Sequence, residues 1–211
     1  MSSSQPDSDL EFPRAQAGSR IGLFGGTFDP PHLGHVQLSL VALTKLKLDR
    51  IWWLVSPGNP LKEGEPSLTI AQRIARAKAL IGSQRISVAA PEIKLGNSFT
   101  FNTIAAARER YPHVRFVWLM GSDNLAGFHN WERWGEIAGT VPMAIFNRPG
   151  MAFSEDWPAV EALANYRLDE ADARNLADTP PPAWVFLASP SIDLSSSEIR
   201  GRRGIKAPAA S

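Results

Sequence analysis

The sequence contains no cysteine, which excludes a disulfide scaffold, a thiol nucleophile and any Cys-ligated zinc or iron–sulfur centre. It has no long hydrophobic run: stretches such as Ile51–Val55 and Phe116–Met120 fall far short of the roughly 20 residues that cross a bilayer, so no membrane partner is expected. Charge of one sign is not in excess either. The chain carries 22 Lys+Arg against 21 Asp+Glu, a net charge of +1, which argues against a protein built to wrap nucleic acid. The opening residues show no basic start followed by an apolar stretch, so no secretory leader is expected. Cytoplasm is the expected location. What is present, 44% hydrophobic and 20% charged residues over 211 positions, is the composition of an ordinary globular core; the count is compatible with a homo-oligomer as much as with a monomer.

Residues 1–18 are polar and aperiodic, and are expected to be a flexible tail; the Ala/Pro-rich 204–211 is expected to be another, leaving 19–203 as one domain. From Arg20 onward, apolar runs that read as buried strands alternate with stretches of helical periodicity. The strands are expected at Ile21–Phe24, Ile51–Val55, Ile86–Val88, Arg115–Met120, Pro142–Phe146 and Trp184–Leu187. Helices are expected from Val36 to about Lys47, and over Thr69–Ile81, Thr103–Tyr111, Trp131–Ala138, Glu155–Ala164 and Ser195–Arg202. Strands apolar on both faces with helices between them predict a three-layer α/β sandwich around a parallel, Rossmann-like nucleotide-binding sheet. Ligands in such sheets bind beyond the carboxyl ends of the strands, where the strand order reverses. The residues that follow the strands are therefore the ones to read: Gly25–His35, Pro57–Lys62, Gly121–Trp131, Asn147–Arg148 and Ser195–Arg200.

The most informative of these is Gly25-Gly26-Thr27-Phe28-Asp29-Pro30-Pro31-His32-Leu33-Gly34-His35. Two glycines at a strand end allow a tight turn whose N–H groups can approach a bulky anion. His32 and His35, three apart, lie on one side of a helix's opening turn, and Gly34 leaves room between them. Imidazoles, free N–H groups and a helix end together suit a phosphate that gains charge during reaction. The residues alone leave structural histidines or a metal pair open, although no further metal ligands are evident. The segment is neither a Walker A loop nor a G-x-G-x-x-G fingerprint.

This segment resembles the signature of the H-x-G-H nucleotidyltransferase superfamily, and within it most closely that of the bacterial nicotinate-nucleotide adenylyltransferases, over Ile21 to Arg200. Leu194-Ser195-Ser196-Ser197-Glu198-Ile199-Arg200 resembles that family's second signature, with Ser197 where Thr is common. Ser98-Phe99-Thr100-Phe101-Asn102-Thr103 resembles its acceptor turn, with Asn102 in place of Asp. Phe128-His129-Asn130-Trp131 resembles its F-x-x-W segment. Pro57-Gly58-Asn59-Pro60-Leu61-Lys62 stands at its Pro/Lys loop, with Leu61 where His is usual. The resemblance implies adenylyl transfer from ATP, with Mg²⁺, to nicotinate mononucleotide, giving deamido-NAD and pyrophosphate. It implies that His32, His35 and Arg200 act on the triphosphate and that Gly25, Gly26, Thr27, Phe28, Gly34, Gly121, Asp123, Ser195 and Ser196 bind ATP. Lys62, Phe99, Thr100 and Trp131 would bind the mononucleotide, and no protein side chain is expected to hold a resident metal. Other readings are a superfamily member acting on nicotinamide mononucleotide, phosphopantetheine or a cytidylyl substrate, a nucleotide-sensing module without chemistry, and an interaction domain that uses its seven tryptophans.

Overall fold

The computed structural model describes residues 6–58, 66–96, 99–148 and 151–188. Seven strands form one sheet: β1 (Arg20–Gly26), β2 (Arg50–Val55), β3 (Ile86–Ala89), β4 (Arg115–Gly121), β5 (Met143–Phe146), β6 (Arg167–Leu168) and β7 (Trp184–Leu187). Their order is β3-β2-β1-β4-β5-β7-β6, and every pair is parallel. The chain winds outward from β1 to β3, then returns to place β4 on the other side of β1. The order therefore reverses between β1 and β4, and their carboxyl ends bound the crevice where ligands bind in such sheets.

The helices are α1 (Leu33–Lys45), α2 (Ile70–Leu80), α3 (Glu92–Leu95), α4 (Thr100–Arg110), α5 (Ser122–Ala126), α6 (Trp134–Thr140) and α7 (Pro158–Ala162). Strand side chains alternate between two cores, as the period of two requires. Phe24, Trp53, Val55, Val117 and Leu119 meet Leu38, Ala42 and Leu43 of α1 and Ile74 and Ala77 of α2 on one face. Ile21, Leu23, Trp52, Leu54, Trp118 and Met120 meet Ile104 of α4, Leu125 of α5, Ile137 of α6 and Val160 of α7 on the other. The expected three-layer α/β sandwich with a parallel sheet is present.

Two local differences from the sequence reading have physical causes. The lead over 1–18 is not a loose tail from Ser8 onward. Pro6–Leu10 is a 3₁₀ turn, the Ala90 N–H donates to the Asp9 carbonyl, Lys78 pairs with Asp9 at 2.6 Å, and Phe12 packs on Trp52. Three apolar side chains, Leu10, Phe12 and Ala15, join the two cores, an amount of burial that composition does not reveal. The helix expected from Trp131 begins at Trp134, because Trp131 closes a separate 3₁₀ turn over Phe128–Asn130. Among the described residues no helix is long and apolar enough to cross a membrane.

Candidate active site

At the end of β1 the chain turns through Gly25 and Gly26. A Cβ on Gly25 would lie 2.5 Å from the indole of Trp118 on β4, so the close approach of turn and ring requires glycine there. Phe28 follows at φ 49°, a left-handed conformation that costs a bulky L-residue energy. Its ring offsets that cost by stacking on Trp53 at 4.9 Å and meeting the edge of Phe24. The Phe28 side chain is therefore core, and what Phe28 can offer a nucleotide is its backbone.

His32 caps α1 and His35 occupies its third position. The rings lie 3.8 Å apart, centroid to centroid, and both are nearly buried, at 5% and 9% exposure. The His32 backbone N–H donates to His35 Nδ1 at 3.1 Å, and the His35 N–H donates to the His32 carbonyl. The bond accepted by Nδ1 fixes the His35 tautomer. A ring whose Nδ1 accepts carries its proton on Nε2. Burial, with the neighbouring His32 and the positive charge of Arg148 adding to it, holds the His35 pKa well below the usual imidazole value. His35 is thus a neutral Nε2–H donor at the amino end of a helix. The helix is anchored from beneath, where Trp53 Nε1 donates to Ser39 Oγ and Ser39 Oγ to the His35 carbonyl, both at 2.8 Å.

Across the crevice, β4 ends at Gly121. Asp123 in the first turn of α5 pairs with Arg148 at 3.2 Å, and the Arg148 N–H donates to the buried Ser122 hydroxyl at 3.1 Å. Arg148 follows β5, so three adjacent parallel strands, β1, β4 and β5, deliver His35, Asp123 and Arg148 to one edge. Trp118 connects this edge to Trp131, standing edge-on to it at 6.4 Å. Arg133, two residues on, lies over the Phe101 ring, 3.6 Å from its centroid, which brings the first turn of α4 with Phe99 and Thr100 to the same side.

Gly25, Gly26, Thr27, Gly34, Gly121, Asp123, His32, His35, Trp131, Phe99 and Thr100 thus all lie along the carboxyl side of the sheet or are linked to it by these contacts. Lys62, Ser195, Ser196 and Arg200 lie outside the described residues, as do Leu61, Ser98 and Ser197. A cavity of about 750 Å³ lined by Arg14, Asp49, Arg50 and Arg85 opens by the amino ends of β1 and β2, away from the histidines.

Sequence reasoning placed Arg148 at this edge, as a residue that follows a strand, but gave it no role and did not pair it with Asp123. It missed Arg73. This guanidinium is 1% exposed and donates to the carbonyls of Thr27 and Ser56 at 2.6 Å and of Leu68 and Pro57 at 3.1 Å. It locks the turn after β1 to the turn after β2. Asp29, also buried, accepts from the Ser67 N–H at 2.6 Å and from its hydroxyl; burial lowers the Arg73 pKa below its ordinary value, and the charge of Asp29 offsets part of that fall. The signal was periodicity: Arg73 sits on the apolar stripe of Ile70, Ile74 and Ala77.

Taken together, glycine turn, helix end, neutral imidazole donor and Arg148 make a cradle for phosphate oxygens. The cytidylyltransferase-like family model matches residues 23–202. A protein of Cereibacter sphaeroides named "Probable nicotinate-nucleotide adenylyltransferase" is 52% identical over 181 residues, 85% of this chain and 96% of that one. One of the same name from Bradyrhizobium is 48% identical over 186 residues, 88% and 97%. A Plasmodium falciparum nicotinic acid mononucleotide adenylyltransferase complexed with APC shares the fold, with a TM-score of 0.65 at 18% identity over 87% of this chain and 83% of that one. With the family model spanning most of the chain and these relatives matching it nearly end to end, the chain belongs to the cytidylyltransferase-like family and, within it, to the nicotinate-nucleotide adenylyltransferases.

Proposed function

We propose that this protein transfers the adenylyl group of ATP to nicotinate mononucleotide, giving deamido-NAD and pyrophosphate. The observation that carries the reading is the pair of nearly buried, closely apposed histidines at the switch point of the sheet, one of them a fixed neutral donor. The names of relatives at about half identity supply the substrate.

In the reaction an oxygen of the mononucleotide's 5′-phosphate attacks the α-phosphorus of ATP in line. The bond from that phosphorus to the bridging oxygen breaks, and pyrophosphate leaves with the electron pair. No protein nucleophile takes part, so the chain's contribution is positioning and charge stabilisation. His35 Nε2–H donates to an α-phosphate oxygen as charge builds on it, and a neutral donor already desolvated by its surroundings needs no reorganisation to do so. His32, the turn N–H groups of Gly26 to Phe28 and the amino end of α1 hold the rest of the triphosphate. Asp123 accepts from a ribose hydroxyl, while its ion pair with Arg148 leaves that cation aimed along the crevice. Trp131 stacks on the pyridine ring. The first-turn N–H groups of α4 at Thr100 and Phe101, which have no partner within the helix, receive the pyridine carboxylate. Lys62, Arg200 and the Ser195–Ser196 segment are assigned to the acceptor phosphate and the leaving pyrophosphate on resemblance alone.

Among the described residues no group of three or more His, Asp or Glu side chains gathers as a metal site. Mg²⁺ would enter with the substrate, bound to ATP, and would supply neutralisation of the phosphate charge. The test is pyrophosphate release from ATP or CTP with nicotinate mononucleotide, nicotinamide mononucleotide and phosphopantetheine as acceptors. Release with ATP and nicotinate mononucleotide well above the other combinations is expected. No release with any pair would overturn the enzyme reading, and preference for another acceptor would overturn the substrate.

A further inference from the structure

Behind the acceptor turn lies a carboxyl group that the reaction does not use. Glu92, the first residue of α3, is 4% exposed. Its Oε1 accepts from the Thr103 hydroxyl at 2.9 Å, and its Oε2 is buried with no hydrogen-bond partner among the described residues. Thr103 is itself fully buried and stands in the first turn of α4, where its N–H donates to the Phe99 carbonyl at 3.2 Å. One hydroxyl therefore separates Glu92 from the turn whose N–H groups face the acceptor.

We propose that Glu92 sets how strongly this turn holds an anionic acceptor: uncharged, it leaves the positive amino end of α4 to the pyridine carboxylate, and ionised, it opposes that carboxylate through low-dielectric protein. The inference rests on the assignment of the Thr100 turn to nicotinate mononucleotide. Its physical basis is that an anion at a helix amino end is favoured by the partial positive charge there, whereas a second, buried anion close by competes for the same field and is poorly screened.

The surroundings permit the switch near neutral pH. Burial pushes the Glu92 carboxyl up to about 7, with the Thr103 hydrogen bond pulling slightly the other way. The charged groups on the elements packed against α3 are engaged elsewhere. Lys94 on α3 itself binds Glu11, and Asp9 of the leading 3₁₀ turn binds Lys78. On α4, Arg108 donates to the Thr140 carbonyl, Arg110 lies beside the Tyr111 ring, and Glu109 is exposed at the helix's far end. Arg133, over Phe101, is paired with Glu136. None of them contributes to the Glu92 shift, whose causes are burial and Thr103.

The test compares kcat/KM for nicotinate mononucleotide with that for nicotinamide mononucleotide, from pH 6 to 8.5, in the wild type and in Glu92→Gln. Both acceptors carry the same phosphate, so its titration cancels in the ratio and the pyridine carboxylate is isolated. Gln keeps the acceptor for Thr103 and removes the charge. The acid-to-amide ratio should fall about three- to tenfold through pH 7 in the wild type and stay flat in the variant. As a readout that needs no variant, the ¹³C resonance of the Glu92 carboxyl should titrate near neutrality and move to higher pH when nicotinate mononucleotide is bound, but not with the amide. Transfer to nicotinate mononucleotide with the same pH slope in both proteins, or a Glu92 titration indifferent to the acid, overturns this inference and leaves the proposed reaction standing. Absence of any transfer to nicotinate mononucleotide overturns both.

Discussion

Replacing Arg73 by Met removes the guanidinium that ties the turn after β1 to the turn after β2, while keeping the apolar stem's volume. Four carbonyls, of Thr27, Ser56, Pro57 and Leu68, lose their donor, and the buried Asp29 loses the opposing charge of Arg73. Hydrogen bonds from a charged donor contribute about 1.5–3 kcal/mol each, but four bonds from one planar group are not additive, and carbonyls at the strand ends can recover water. Breaking one side of a buried charged cluster typically costs about 3–5 kcal/mol, and that is the expected loss. For a chain of this size it corresponds to a fall of roughly 6–20 °C in Tm, readable by differential scanning calorimetry. The same change frees Thr27, whose carbonyl orients the turn's N–H groups, so KM for ATP should rise by about tenfold or more while KM for the acceptor moves less. Arg73→Lys, which keeps the charge but reaches fewer carbonyls, should fall between the two. A Met variant that melts within about 2 °C of the wild type, with unchanged KM for ATP, would refute the view that this guanidinium organises the crevice.

His35→Ala removes both the Nε2–H donor and the cap on the His32 N–H. Loss of one preorganised donor predicts a fall in kcat of about 100- to 1,000-fold, with a stability cost of only about 1 kcal/mol from the cap; a kcat within tenfold of the wild type in steady-state assays would remove His35 from the chemistry. Trp131→Ala should raise KM for the mononucleotide about fivefold or more with KM for ATP nearly unchanged, and the reverse ranking would mark the indole as packing only. Glu92 carries a stability signature as well. Its folded-state pKa, about 7, lies above the ordinary value near 4.5, so the folded state binds the proton more tightly. The group's contribution is intact below about pH 4.5 and is lost as pH rises through about 7. A shift of that size amounts to about 3 kcal/mol, so the Tm of Glu92→Gln should overtake that of the wild type by several degrees between pH 5 and 8. Parallel Tm curves across that range would contradict it.

How much of this was legible in the sequence follows from how local each feature is. Strands β1, β2 and β4 are apolar on both faces and stand out as runs, because both cores demand it: Trp52 and Trp53 are consecutive and fill opposite sides of the sheet. β6, two residues long and marked only by its pairing with β7, carries no periodicity to read. The four-residue α3 is likewise too short to show one, and with it Glu92 escaped notice. The histidine pair was legible because its geometry is set within one turn of helix: His32 as cap and His35 three residues later lie side by side once α1 starts at Leu33. The Asp123–Arg148 pair and the Arg73 clamp are assembled by strand order, and no local pattern can state which strand ends become neighbours.

That division has a consequence for how the crevice works. The groups assigned here to phosphate sit on the glycine-bearing turn after β1 and the opening turn of α1, which alone would be mobile; Phe28 even holds a left-handed backbone there. Their rigidity comes from residues far away in sequence: Trp53 under Phe28 and Ser39, Trp118 against Gly25, Arg73 beneath Thr27. Each of these is fully or almost fully buried, and each sits on a strand or helix of the main layers. A preorganised donor lowers a barrier only if it does not have to be reoriented when charge develops. On the proposed reaction, the catalytic advantage of the histidine segment therefore resides as much in the tryptophans and the arginine behind it as in the imidazoles. For that reason loss of a supporting side chain should lower transfer rates even where both histidines remain in place.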